Sequence, residues 1–203
     1  VLWHTESLPT DGPEAFVNIQ ALTLGADGLY AADRVAGVLR FDTSTGQRVE
    51  TIPFADFNVM PTDVAVSDTG TIYVADSACQ CVRVWRNGVW RDSLPDFGFG
   101  APLSIAVVNG TLYATDFSAQ GPAIRAFAPD GSETDRLSIP QITGTQPQLA
   151  VDTANNRLLA LTAEGAVLTP DAETGATLAV AYQLAGPPVQ MADVTLDATG
   201  NLI

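Results

Sequence analysis

The chain has 203 residues, 46% of them hydrophobic, which is enough for one sizeable core and too apolar for a disordered segment. Its 23 acidic residues face only 9 basic ones, all of them Arg, giving a formal charge of −14; such a balance repels phosphate backbones and anionic headgroups and argues against nucleic acid and direct membrane insertion as partners. No apolar run reaches the roughly 18–20 residues of a membrane-spanning helix, and the opening Val1-Leu2-Trp3-His4-Thr5-Glu6 has neither the basic nor the apolar region of a signal peptide.

In chain order, Leu2–Pro9 reads as an outermost strand, with a linker to residue 15, and a repeat then sets in. Its first half is a strand, a Gly-containing turn and a second strand: Leu22-Thr23-Leu24 with Gly28–Asp33, then Val64-Ala65-Val66 with Gly70–Asp76, then Ile105-Ala106-Val107 with Gly110–Asp116. A degenerate copy pairs Leu149-Ala150-Val151 with Arg157–Thr162, and Val194-Thr195-Leu196 opens a fifth. Tyr30, Tyr73, Tyr113, Leu159 and Ile203 hold equivalent places, a step of about 43 residues, the size of one propeller blade.

The second half supplies third strands at Val38–Phe41, Val82–Trp85, Ile124–Phe127 and Ala166–Leu168, each followed by turn residues such as Asn87-Gly88 or Asp130-Gly131, which favour positive φ. Fourth strands end at Thr51-Ile52-Pro53, Ser93-Leu94-Pro95 and Ser138-Ile139-Pro140, with the same motif at Ser7-Leu8-Pro9; proline suits a strand end where no ladder donor is needed. Four antiparallel strands per repeat, without amphipathic helices, predict an all-β propeller: residues 16–58, 59–100, 101–144 and 145–188 as four complete blades and 189–203 as the start of a fifth.

Pro61–Ser77 closely resembles the NHL-repeat consensus, with Val82-Arg83-Val84-Trp85 as its closing strand; the resemblance runs over 16–203, best in the second repeat and weakest in the fourth. Cys79 and Cys81 stand where NHL repeats usually carry Asn and Arg. NHL propellers are typically six-bladed, which implies an open arc in which Leu2–Pro9 lacks its partner strands and one side of blade 4 is bare. The resemblance extends to gluconolactonase-like and streptogramin-lyase-like propellers, which act through metal-associated acidic or His/Glu sites in the central channel.

Chemistry-bearing residues are few. His4 is the single histidine and lysine is absent, so a Ser-His-Asp triad and Schiff-base chemistry have little to stand on. Asp33, Asp76 and Asp116 recur at the end of the second strand; they are read as acceptors for the backbone of the following turn rather than metal ligands. The first residues of the innermost strands, Ala21, Asp63, Ser104, Gln148 and Asp193, would surround one mouth of a channel. Asp63, Ser104, Gln148 and Asp193 are therefore the candidate ligand-binding set, with calcium as the cation such acids would take and solvation by channel water as the alternative.

Phe54, Phe57, Phe97 and Phe99 lie in the connections between blades. The first reading makes them wedges between blades; the second makes Phe57 and Phe97 a sticky rim. Trp85 and Trp90 flank the Arg86-Asn87-Gly88 turn as a cross-strand pair. Cys79 and Cys81 are read first as independent thiols, second as a C-x-C disulfide and third as metal ligands; Asn109-Gly110-Thr111 matches a glycosylation sequon already explained by a hairpin tip. The expected function is a non-enzymatic binding or scaffold propeller, extracellular or envelope-associated, recognising a protein or carbohydrate through one face. The alternative is a lactonase- or lyase-like enzyme using acids and a metal in the channel.

Overall fold

A computed structural model describes residues 18–91, 100, 102–118, 121–139, 147–152, 155–162, 166–170 and 178–183. All regular structure among them is β, in four antiparallel sheets of four strands, each a simple meander. Blade 1 comprises β1 Ile19–Gly25, β2 Gly28–Asp33, β3 Gly37–Phe41 and β4 Arg48–Ile52. Blade 2 comprises β5 Pro61–Val66, β6 Ile72–Asp76, β7 Cys81–Arg86 and β8 Val89–Arg91. Blade 3 is β9 Ile105–Val108, β10 Thr111–Ser118, β11 Gly121–Phe127 and β12 Glu133–Ser138; blade 4 is β13 Gln148–Asp152, β14 Arg157–Leu161, β15 Ala166–Pro170 and β16 Leu178–Gln183. The fold class read from the repeat is the one observed. No described helix is long and apolar enough to cross a membrane.

The hairpins follow from local chemistry. Arg86 pairs with Val89 around Asn87 at φ 54° and Gly88 at φ 78°, and Val108 pairs with Thr111 around Asn109 at φ 52° and Gly110 at φ 77°. Both are two-residue turns with two positive φ angles, which Asn-Gly accommodates best. Asn109 is thus at a hairpin tip, and its side-chain oxygen accepts a hydrogen bond from Asn156.

The chain divides into two compact units, Val1–Leu94 and Pro95–Ile203. In the first, blades 1 and 2 share a core of Tyr30, Ala32, Val38, Ile52, Val64, Ile72 and Val74, with Phe54, Trp85 and Trp90 against it. In the second, Ala106, Ile124, Leu137, Leu149, Leu158, Ala160 and Leu168 close blade 3 onto blade 4. Strand alternation makes this possible: successive residues of β2 and β14 point to opposite faces, and both strands carry buried apolar groups on each face. Each fully buried Leu or Ile in these seams contributes about 1.5–3 kcal/mol. Tyr30 and Tyr113 face the following blade of their own unit. Burial, and next the hydrogen bond to Asp27, push the Tyr30 phenol above its ordinary pKa.

The expected bare face of blade 4 is not found. Leu159, Leu161 and Val167 on that face are 0–2% exposed. Exposed apolar side chains occur instead on β1, where Leu22 is 58% and Leu24 71% exposed. The outer strand read at Leu2–Pro9 and the fifth-blade start at 189–203 lie outside the described residues.

The first turn of blade 4 carries a pH-sensitive anchor. Hydrogen bonds from the Asn155 side chain and from Arg157 hold the Asp152 carboxyl below its usual range. A carboxyl with a lowered folded-state pKa adds stability that is complete above its unfolded value, about 4, and is lost as pH falls through the folded value. Melting temperature should therefore drop on acidification below about pH 4. Asp152→Asn should be less stable at pH 7 and lose less on the same acidification; parallel pH profiles of the two proteins would remove this role from Asp152.

Candidate functional site

Antiparallel pairing fixes what can share a surface. In each blade the connection from the second to the third strand lies at the same end as the arrival from the preceding blade, because both stand opposite the tight first hairpin. The first anchors are therefore Asp33, Asp76 and Asp116, all 0% exposed. Asp33 Oδ1 accepts the amides of Val35 and Ala36, and its Oδ2 that of Asn18. Asp76 Oδ1 accepts Met60 N at 3.0 Å and Ala78 N at 2.9 Å, and Oδ2 takes Arg83 Nε at 2.6 Å. Asp116 repeats the pattern with Gly100 N, Ser118 N and Arg136 Nη1. Each carboxylate joins the loop after it to the segment leading into the first strand of its own blade. The turn-acceptor reading of these acids is what the geometry shows, and the arginine partners of Asp76 and Asp116 are additional to it. In blade 4 the weaker substitute is Thr162, whose hydroxyl accepts Ala166 N at 3.2 Å.

The proposed channel-mouth residues fall in different settings. Asp63 follows an irregularity in the β5–β6 register between Pro61 and Asp63, is half-buried, and accepts a hydrogen bond from Val64 N at 2.8 Å; a bulge of this kind re-aims side chains. Ser104 is 0% exposed and its hydroxyl accepts Leu149 N at 3.0 Å, tying blade 3 to blade 4. Gln148 is half-buried at the start of β13. Ser104 and Gln148 belong to one unit and Asp63 to the other, while Asp193 lies outside the described residues.

The aromatic connection between blades 1 and 2 separates into two roles. Phe54 is half-buried and stacks at a tilt on Trp90 with centroids 5.3 Å apart; Trp90 meets Trp85 at 5.3 Å and donates its Nε1–H to Pro53 O at 2.7 Å. Phe54 is the wedge, and the Trp85–Trp90 cross-strand pair is observed. Phe57 is 110% exposed, so for this residue the wedge reading is replaced: the loop turns it outward once Phe54 has filled the seam. Phe97 and Phe99 lie outside the described residues.

Phe57 does not stand alone. Val35 in the β2–β3 loop is 67% exposed, Met60 at the arrival on β5 is 41% and Ile19 at the start of β1 is 40%. All four are at the same end of their blades, and Asp56, next to Phe57 in the chain, pairs with Arg83 at 2.8 Å. Sequence reasoning passed over Val35 and Met60. Their signal was positional: each adjoins an anchoring Asp loop, where an apolar residue has no core to enter.

Cys79 and Cys81 are joined by a disulfide, with Cα atoms 5.2 Å apart, which corrects the first reading of them as independent thiols. With Asp76 they form a group whose ligand atoms lie within 4.8 Å of one another, the candidate metal cluster among the described residues. Disulfide sulfur is no thiolate donor, and the Asp76 oxygens already serve two amides and Arg83.

Sequence and structure comparisons agree with this fold. The NHL repeat family matches residues 59–85, the second blade through its third strand. The fold matches that of a virginiamycin B lyase from Staphylococcus aureus at TM-score 0.72 and 14% identity, over 95% of this chain and 64% of that one. The chain carries an NHL repeat on a β-propeller fold. This NHL-repeat propeller is likewise similar to a streptogramin B lyase, at TM-score 0.72 and 16% identity over 91% of this chain and 61% of that one. A chain of a nidogen/laminin complex aligns with it at TM-score 0.62 and 24% identity, over 74% and 59% of the two chains. The propeller thus spans 59–64% of the length of these structures. No curated protein sequence matches it.

Proposed function

We propose that this NHL-repeat propeller is a binding module that recognises a protein through the face carrying Ile19, Val35, Phe57 and Met60. The observation that supports the reading most directly is the fully exposed Phe57. A large apolar side chain held outward, at the same end of the blades as three others, costs solvation unless something covers it, and exposed apolar surface of this kind marks interaction sites. Aromatic and Met side chains are the residue types enriched at interface centres. With a formal charge of −14 on the chain, the partner surface that fits is basic around an apolar pocket. A protein complex among the similar folds, nidogen with laminin, favours the same class of partner over carbohydrate. The disulfide suits an oxidising compartment, hence an extracellular or envelope location.

Screening on protein and glycan arrays tests the reading. Hits should be proteins, and Phe57→Ser should weaken them at least about tenfold, the ~1.4 kcal/mol or more typical of a central interface residue. Hits confined to glycans, or binding indifferent to Phe57→Ser, would reject it. Turnover of a lactone or cyclic peptide by the wild-type chain would instead support the enzymatic alternative, since the fold is shared with lyases.

A further inference from the structure

The Cys79–Cys81 bond spans one residue, Gln80, whose φ is 55°. Elsewhere the same Asp-anchored loop is built without cysteine: Asp33 holds Val35 and Ala36 in blade 1, and Asp116 holds Ser118 in blade 3, just as Asp76 holds Ala78. In those blades the left-handed residue at the start of the third strand is glycine, Gly37 at φ 104° and Gly121 at φ 96°. Glycine adopts such a backbone freely and glutamine does not. Closing so short a loop also removes the least entropy from the unfolded chain. An Asp-anchored loop thus needs no disulfide where glycine takes the left-handed position, and the bond is specific to the conformation of Gln80. Its two residues differ in exposure: Cys79 is exposed, whereas Cys81 is 6% exposed at the start of β7.

We propose that Cys79–Cys81 is a thiol-exchange site, attacked at Cys79 by a small-molecule thiol of the glutathione class. The external thiolate attacks Cys79 Sγ, forming a mixed disulfide and expelling Cys81 as a thiolate, which takes a proton from water. A second external thiolate attacks the sulfur of the first, releasing the oxidised small-molecule disulfide and leaving Cys79 to take up a proton. Two small thiols are oxidised to one disulfide, and one protein disulfide is reduced to two thiols. Burial of Cys81 directs the first attack to Cys79. Once the bond opens, nothing in it holds Gln80 in the left-handed region, and the loop 77–80 relaxes. Ser77 N and Ser77 Oγ both donate to Met60 O, at 3.0 and 3.1 Å, so the change passes to the connection that carries Phe57. The exchange itself requires no partner on that face.

Incubation in glutathione redox buffers, quenching with N-ethylmaleimide and peptide mapping by mass spectrometry read the chemistry; amide hydrogen exchange reads the loop. The expected result is a glutathione adduct on Cys79 and none on Cys81. Exchange at 77–80 and 58–60 should rise about tenfold on reduction while Val82 and Val84 in β7 stay protected. The Cys79→Ser/Cys81→Ser double variant should show the fast loop exchange without reductant. Unchanged loop exchange after complete reduction would overturn the proposal. So would thiol release that only tracks loss of the β-sheet circular dichroism signal in the wild-type chain, a result that also decides the matter should the double variant fail to fold.

Discussion

Asp76→Ala should destabilise the first unit by about 3 kcal/mol, the lower end of what removing one partner of a buried ion pair costs. The carboxylate is 0% exposed and Arg83 has 18% of its side chain exposed. Truncation leaves Met60 N and Ala78 N without their acceptor and takes from Arg83 its 2.6 Å partner. Arg83 keeps Asp56 at 2.8 Å, an exposed residue, which is why the expected cost sits at the low end. Asp116→Ala should cost a similar amount in the second unit, since Arg136 Nη1 lies 2.9 Å from that carboxylate and Arg125 Nη1 3.9 Å. Exposed Asp68→Ala, within two residues of a turn glycine, should stay within about 0.5 kcal/mol of wild type. Urea titrations of the three variants check this; an Asp76→Ala midpoint matching that of Asp68→Ala would deny the anchor its role.

The same anchors show why so much of this fold could be read from the sequence. A blade is built of neighbours: β1 with β2, β2 with β3, β3 with β4, each joined by a short turn. Strand alternation, Asn87-Gly88 and the recurring second-strand Asp are local signals, and local signals suffice for a meander. What lay hidden depends on contacts between blades. Phe54 and Phe57 sit three residues apart in one connection, yet only Trp90, on a strand of the next blade, separates the wedge from the exposed side chain. Ser104 looked like a polar residue facing a channel until Leu149 N, 45 residues later, was seen to use its hydroxyl. Arg136 reaches Asp116 from β12, 20 residues away. The state of Cys79 and Cys81 turned on Gln80 adopting a left-handed backbone, which composition does not signal.

Gly37→Ala should cost about 3 kcal/mol or more, combining a positive-φ penalty of about 1–3 kcal/mol with an overpacking cost of similar size. Gly37 opens β3 opposite Asp33 at φ 104°. A Cβ there would run into the carbonyl oxygen of Ile52 and the Cα of Pro53. These are backbone atoms at the end of β4, so no side-chain rotation can make room. The Thr51-Ile52-Pro53 motif and Gly37 are thus two halves of one contact: the fourth strand ends where the third begins, and Val38 pairs with Ile52 immediately beside it. Displacing that backbone would disturb Ile52, 3% exposed in the seam with blade 2, and Phe54 two residues on. Gly70 supplies the control: its φ is 77°, yet a Cβ added there would meet nothing within 4 Å. Gly70→Ala should cost only the backbone term, about 1 kcal/mol. Equal urea midpoints for the two variants would mean that positive φ alone, and not the approach of Ile52 and Pro53, keeps glycine at position 37.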